Sequence, residues 1–422
     1  MQKGTLSKLA VPVVSVLIAF LSYGSQLLFP RMDPGPLDTQ QTWCFNLMVI
    51  GIWISYARAC ITSPGQVPPD WKPVSPDAGK HPGPRRRYCR KCNAVKAPRS
   101  HHCKVCQRCI PKMDHHCPWT SNCVSHFTFP HFMRFLWYAV ASMAYLEYLL
   151  FLRAQVIWQN RHLPSYLGPS VSQLVALLIL LLVNSITLFL VGITFARTVW
   201  GLGGNVTTIE SWEIERHEQL LRRARVLGGY LDGPDGVRVA IVRQEFPYDI
   251  GIWSNIVQGM GSRNVIAWFW PLSATPRTNG LEFDENGFED AGITWPPPDP
   301  DRMPRMERDY GRDDAFVYSG SNLTSEQEIQ AFKRRQQNDY QQRADYYGIQ
   351  RRRPFHERYD PDLKDAVDEE EDADTASQSG SGEEGWQDTG GNRLKDFGVD
   401  EDIEFYDEDD IPISELLRRR QG

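Results

Sequence analysis

Residues 87–123 read RYCRKCNAVKAPRSHHCKVCQRCIPKMDHHCPWTSNC, and they hold seven of the chain's nine cysteines. The pair Cys-x-x-Cys occurs three times, at Cys89/Cys92, Cys103/Cys106 and Cys106/Cys109. Zinc takes four tetrahedral nitrogen or sulfur ligands, and a CxxC turn sets two sulfurs at the required bite. A segment with so few apolar side chains has little else to fold around, and metal would supply the folding free energy. If two zincs each take three cysteines and one histidine, six cysteines are used and one remains. Spacing alone does not say which. Within MDHHCPWTSNC (113–123), Asp114, His115 and Cys117 lie close together. A carboxylate can orient an imidazole, and the imidazole can take the proton of a thiol. A thiolate in such surroundings is reactive at neutral pH. Equally, Cys117 can be one more ligand and Asp114 a turn residue; the spacing leaves both readings open.

What flanks this stretch sets its compartment. The 422 residues carry a net charge of −6, so overall charge gives no sign of nucleic-acid binding. A mean hydropathy of −0.42 averages two unlike halves. Four apolar runs lie in the first 200 residues: Leu9 to Phe29, Trp43 to Ile61, Phe135 to Trp158 and Val171 to Ala196. Each approaches or exceeds the roughly 20 residues that cross a bilayer as helix. The first is too long for a signal-peptide core and three more follow, so a cleaved leader is set aside. Glu147 and Arg153 lie in the third run; an ionised group in lipid is costly, so Glu147 should face the bundle interior or an interface.

Orientation follows from basic residues in short loops. Residues 62–131 hold twelve lysines and arginines, whereas 30–42 holds only Arg31 and 159–170 only Arg161. The central loop is therefore expected in the cytosol, with both termini there too. Thiols stay reduced in that compartment, which argues against disulfides.

After the fourth run, GGNVTTIESWEIERHEQLLRRARVL (203–227) reads as a helix, with Thr207 and Glu210 at capping-box spacing. VRVAIV (237–242) has strand character, and the aromatic stretch 247–271 should pack on the cytosolic domain or lie at the interface. From about 273 the composition turns proline-rich and then acidic, with a candidate helix from Ser325. Such tracts bury too little apolar area to offset chain entropy, so 273–422 is expected to be disordered.

The cysteine-rich stretch resembles the cytosolic domain of the DHHC protein S-acyltransferases, through CxxC at Cys89, KAPRSHHC, CxxC at Cys103 and DHHCPWTSNC. Outside it, the family's TTxE motif appears as Thr207-Thr208-Ile209-Glu210, and the asparagine of its C-terminal segment matches Asn255. Its DPG motif is replaced by Ser63-Pro64-Gly65. The resemblance implies a polytopic α-helical membrane protein. Its layout would be spans 1 and 2 in residues 1–61, a cytosolic zinc domain in 62–131, spans 3 and 4 in 132–200, and a packed cytosolic segment in 201–272. It implies two structural zincs, one on Cys89, Cys92, His102 and Cys109, the other on Cys103, Cys106, His116 and Cys123. It makes Cys117 the nucleophile, His115 its base and Asp114 the residue that orients His115.

The donor implied is palmitoyl-CoA or another long-chain acyl-CoA, and the acceptors are membrane proteins with cytosolic cysteines. Arg87, Lys96 and His101 are candidates for the CoA phosphates, Trp119 for packing over the thioester, and Ser142 for the bottom of the acyl cavity. Thr208 is placed to bond toward Asp114. The general look is that of fungal members of the endoplasmic reticulum membrane. A membrane-anchored zinc module that only binds partners, and a membrane-embedded RING-type ligase, are the competing readings.

Overall fold

The computed structural model describes residues 3–72, 87–162, 164–232, 238–288, 295–297 and 299–302. Near the C-terminus it describes 388, 391–399 and 404–405. The N-terminal helix α1 (Lys3–Ala19) continues through a π-helical turn (Phe20–Gly24) into α2 (Ser25–Leu28). Helix α3 (Thr39–Ile61) starts at Asp38, whose carboxylate accepts from the Gln41 N–H while Gln41 bonds back, a full capping box. Helices α4 (Phe129–Gln159) and α5 (Val171–Gly203) bring to four the helices among the described residues that are long and apolar enough to cross a membrane. The protein is therefore a multi-pass membrane protein.

Phe29, Phe45, Val49, Leu146, Leu149 and Leu150 interlock at the centre of the bundle. Outward, Val16, Leu178, Ile186 and Phe189 are exposed, the apolar perimeter that lipid covers. Glu147 does face the interior: it accepts from Asn184 Nδ2 and Ser185 Oγ, both at 2.7 Å. Arg153 is buried over the Phe29 ring and donates to the Gly35 carbonyl at 2.7 Å.

Between α3 and α4 the chain forms three small antiparallel hairpins. These are β1 (Tyr88–Cys89) with β2 (Ala94–Val95), β3 (His101–Cys103) with β4 (Arg108–Ile110), and β5 (His115–Cys117) with β6 (Asn122–Val124). The third is tied to the second span by Asn122, whose Nδ2 donates to the Ala59 and Thr62 carbonyls at the end of α3. The Ser-Pro-Gly turn sits here as well. Gly65 has φ of +85°, and a Cβ on it would lie 2.7 Å from the Phe127 ring, so both backbone conformation and space call for glycine.

After α5, helix α6 (Thr208–Val226) opens with the expected box: the Thr207 side chain accepts from the Glu210 N–H and Glu210 bonds back. A hairpin follows, β7 (Tyr230–Asp232) with β8 (Arg238–Ala240), then α7 (Ile252–Met260) and the short α8 (Val265–Phe269). Asn255 is fully buried and bridges elements, donating to the Gly203 carbonyl at the end of α5 and to Asp249.

The expected end of order at 272 is corrected. Leu281 is buried beside Cys89 and Cys109. Trp295 is buried and donates to Glu213, and Asp299 pairs with Arg216. Near the C-terminus, Phe397 and Val399 are buried, and strand β9 (Glu404–Phe405) pairs with β1. Composition averaged over the tail hides these few apolar anchors, which dock on surfaces built elsewhere in the chain. The candidate helix from Ser325 lies outside the described residues.

Candidate active site

Among the described residues, two groups of four side chains have their ligand atoms within 4.8 Å of one another: Cys89, Cys92, His102 and Cys109, and Cys103, Cys106, His116 and Cys123. In the first, His102 Nδ1 lies 3.4, 3.3 and 3.9 Å from the sulfurs of Cys89, Cys92 and Cys109. In the second, His116 Nδ1 lies 3.6, 3.6 and 3.4 Å from those of Cys103, Cys106 and Cys123. With zinc–sulfur bonds near 2.3 Å and zinc–nitrogen bonds near 2.0–2.1 Å, a tetrahedral ion spaces its ligands about 3.5–3.8 Å apart. Both donor sets therefore fit a four-coordinate ion. Such a set leaves no open coordination position, so an ion there would close the fold and not bind substrate.

The hairpins explain how the sets assemble. His102 faces Cys109 across β3–β4, and His116 faces Cys123 across β5–β6. Each pair meets the CxxC turn of the hairpin before it. The three hairpins repeat every 14 residues, with Cys89, Cys103 and Cys117 each ending the first strand. Four residues on, Asn93, Gln107 and Ser121 all take left-handed φ, at 52°, 56° and 49°. In the first two turns the third residue after the lead cysteine is Cys92 or Cys106, whose N–H meets the lead sulfur at 3.5 and 3.3 Å. In the third turn that position is Thr120. After β6 the chain passes directly into α4, and among the described residues Cys117 belongs to neither group. This repeat is visible in the letters YCRKCNAV, HCKVCQRCI and HCPWTSNCV, a signal that counting doubled His-His-Cys alone misses.

Cys117 is buried among Val124, Phe132 and Leu136, with Val191 and Phe195 beside them. Its sulfur thus sits where the third hairpin meets the apolar helices. His115 Nδ1 bonds Asp114 Oδ2 at 2.6 Å, which leaves Nε2 as the nitrogen toward the thiol. Thr208 caps the arrangement from α6: its N–H donates to Asp114 Oδ1 at 2.7 Å and its hydroxyl to Oδ2 at 2.9 Å.

Burial alone would push Asp114 up, but the bonds from His115 and Thr208 outweigh it and hold the carboxyl below its ordinary range. Burial likewise pulls His115 down, yet Asp114 and Cys117 together raise it to about 10. For Cys117, burial raises the thiol, while the His115 bond and hydrogen bonds from Thr120 lower it further than burial lifts it. The environment therefore favours a thiolate–imidazolium pair. A thiol held low should keep acyl-enzyme formation level across the neutral range, where an unassisted thiol's rate would climb with pH; a pH series of label uptake checks this.

A second layer went unread in the sequence. Arg99, with φ of +60°, is buried and donates to both Glu210 oxygens at 2.6 and 2.7 Å. It also bonds the Asn205 side chain, and its guanidinium stacks over the Tyr248 and Phe283 rings at 4.5 and 5.0 Å. Glu210 thus serves two partners: it closes the α6 cap and anchors the loop before β3. Arg99 and Glu210 are 111 positions apart, so no local spacing announces them.

The remaining candidates are spread out. Arg87, Lys96 and His101 are buried around the first two hairpins. Trp119 is exposed, while its carbonyl accepts from the Tyr56 hydroxyl of α3 at 2.8 Å. Ser142 is buried in α4, its hydroxyl bonded back to the Ala139 carbonyl.

The model of the DHHC palmitoyltransferase family matches residues 83–215. The chain is 54% identical, over 99% of its length and 97% of the relative's, to palmitoyltransferase pfa4 of Emericella nidulans. It is 40% identical to palmitoyltransferase PFA4 of Gibberella zeae over 98% and 95% of the two lengths. To palmitoyltransferase PFA4 of Saccharomyces cerevisiae it is 31% identical, over 68% of this chain and 82% of that one. With two metal-ready cysteine–histidine groups and a cysteine held apart from both, the chain belongs to the DHHC palmitoyltransferase family.

Proposed function

We propose that this protein S-acyltransferase carries the acyl group on Cys117 between a long-chain acyl-CoA and the cysteine of a target protein. The carrying observation is the unbroken bonding line Thr208–Asp114–His115 ending at a buried cysteine in neither metal group. The Cys117 sulfur attacks the thioester carbonyl carbon, and the carbon–sulfur bond to CoA breaks. The CoA thiolate leaves with the proton held by His115. In the second half, His115 takes the proton of the acceptor thiol, whose sulfur attacks the acyl carbonyl. Cys117 then departs as thiolate. This is two-step covalent catalysis. The apolar wall of Phe132, Leu136 and Val191 beside Cys117 suits an acyl chain descending between the helices. Arg87 and Lys96 supply positive charge and His101 a ring nitrogen for the CoA phosphates in this reading, and Trp119 borders the thioester.

We take the ions to be zinc: three thiolates and one imidazole in tetrahedral spacing suit it best, and metal analysis of the purified protein tests this. Residence in the endoplasmic reticulum with cytosolic termini completes the proposal. Imaging of the tagged protein beside a reticulum marker, and protease access to tags at each end, check both. A binding-only module gives no reason for a buried thiol aligned with an imidazole and a carboxylate.

Two further outcomes follow from the geometry. Thr208→Val removes one of the hydrogen bonds that hold Asp114. Bonds to charged groups contribute about 1.5–3 kcal/mol, so autoacylation should slow about tenfold or more with metal content unchanged. An unaltered rate would show that Thr208 does not orient the line. Ser142→Phe should shift preference to chains shorter than palmitoyl, because the side chain grows into the bundle interior. Competition between acyl-CoAs of different length reads this directly, and an unchanged profile would mean that Ser142 is only a small packing residue.

A further inference from the structure

We propose that the C-terminal stretches 391–399 and 404–405 act as a strap that completes the metal-bearing module and positions the reacting line through α6. It returns to the module although residues 303–387 separate it from the last described part of the body. A short 3-10 turn (Leu394–Phe397) ends at Gly398 in left-handed conformation, φ +82°. Phe397 and Val399 flank this glycine and are buried with Cys103, Ile110, Met113, Cys123, Ile209 and Trp212. That set joins three things. Cys103 and Cys123 are members of the second metal group, Met113 precedes Asp114, and Ile209 and Trp212 bracket Glu210 on α6.

The strap's backbone is engaged as well. The Gly398 carbonyl accepts from the N–H of Lys104, inside the Cys103–Cys106 turn, at 3.1 Å. Val399 forms a bridge with Cys103. A Cβ on Gly398 would lie 2.7 Å from the Cβ of His116. Further on, Glu404 and Phe405 pair with Cys89 and Tyr88, so the strap also covers the edge of β1 that carries the first metal group. An edge strand two residues long is covered and not left open. Thr208, the donor to Asp114, lies one residue before Ile209. Prising the strap away would expose the second metal group and free the start of α6, and so loosen Asp114. Phe397, Gly398 and Val399 are positioning residues: none touches Cys117 in the contacts above.

The test uses full-length protein in detergent. In the double variant Phe397→Ala, Val399→Ala, a chelator should strip one metal about tenfold faster, given the apolar area removed from the seal. The kcat of autoacylation should fall, with KM for palmitoyl-CoA unchanged, because the strap positions the reacting line and does not bind the donor. Phe397→Leu keeps an apolar plug and should stay near parent. A synthetic peptide of residues 388–407 added to the double variant should restore both metal retention and rate, and Gly398→Val within that peptide should abolish the rescue. Equal metal loss and equal kcat in parent and double variant would overturn the proposal. So would an impaired double variant that the peptide does not rescue. The chelator readout is independent of the role assigned to Cys117, so a failure of that reading would leave this one separately decided.

Discussion

Cys117→Ala is expected to keep both metals, keep its fold and form no acyl-enzyme. The sulfur of Cys117 is in neither group of four, and its turn carries Thr120 where the other two turns carry a second cysteine. Removing it takes away no ligand. It does take away the sulfur that bonds His115, so label from palmitoyl-CoA should not accumulate. His115→Ala should also keep both metals, with a rate lowered about 100- to 10,000-fold, the span of a positioned general acid–base group. The sign with pH is informative. His115 is what holds the thiol below its ordinary range; without it, burial dominates and the thiol titrates higher. The variant's rate should therefore climb through the alkaline range where the parent's is level. Metal per protein falling from two to about one in Cys117→Ala would instead make Cys117 a ligand.

The converse effect is expected at the metal group next door. Cys123→Ala or His116→Ala leaves a three-ligand set, and these two face each other across β5–β6. The same hairpin carries Cys117, so loss of the ion should unlatch that thiol along with the fold around it. Structural zinc contributes on the order of 10 kcal/mol or more to small modules, while this hairpin has little apolar interior besides Val124. Metal content should drop by at least one ion, thermal unfolding should begin far earlier, and acylation should vanish as a consequence. Full metal content in His116→Ala would contradict the ligand set.

Much of this was legible in the sequence, for identifiable reasons. Each span announces itself because lipid demands a long uninterrupted apolar helix. Helix ends were less legible. The third apolar run begins at Phe135, yet α4 begins at Phe129, because polar residues in its first turns find partners. Arg134 donates to the Ala267 and Trp268 carbonyls of α8 and bonds His131. Thr207 and Glu210 were readable because a capping box is local. Arg99 with Glu210 was not, since the pairing depends on tertiary folding alone.

The C-terminal strap was hidden by its own neighbourhood. Acidic blocks surround Phe397 and Val399, and two apolar residues cannot make a core. They need only join one, and the surface of Ile110, Met113 and Trp212 already exists. Residues 273–302 fail to show in the letters for the same reason: Leu281 and Trp295 are isolated anchors in a proline-rich stretch.

The measurement that bears most directly on the account is the site of the acyl group on the protein itself. Purified enzyme is incubated with palmitoyl-CoA, and the hydroxylamine-labile adduct is mapped by mass spectrometry of its peptides. The account predicts one acyl group, carried on the sulfur of Cys117 and discharged when an acceptor thiol is added. An adduct on Cys60 or on a member of either metal group, with Cys117 left free, would contradict it.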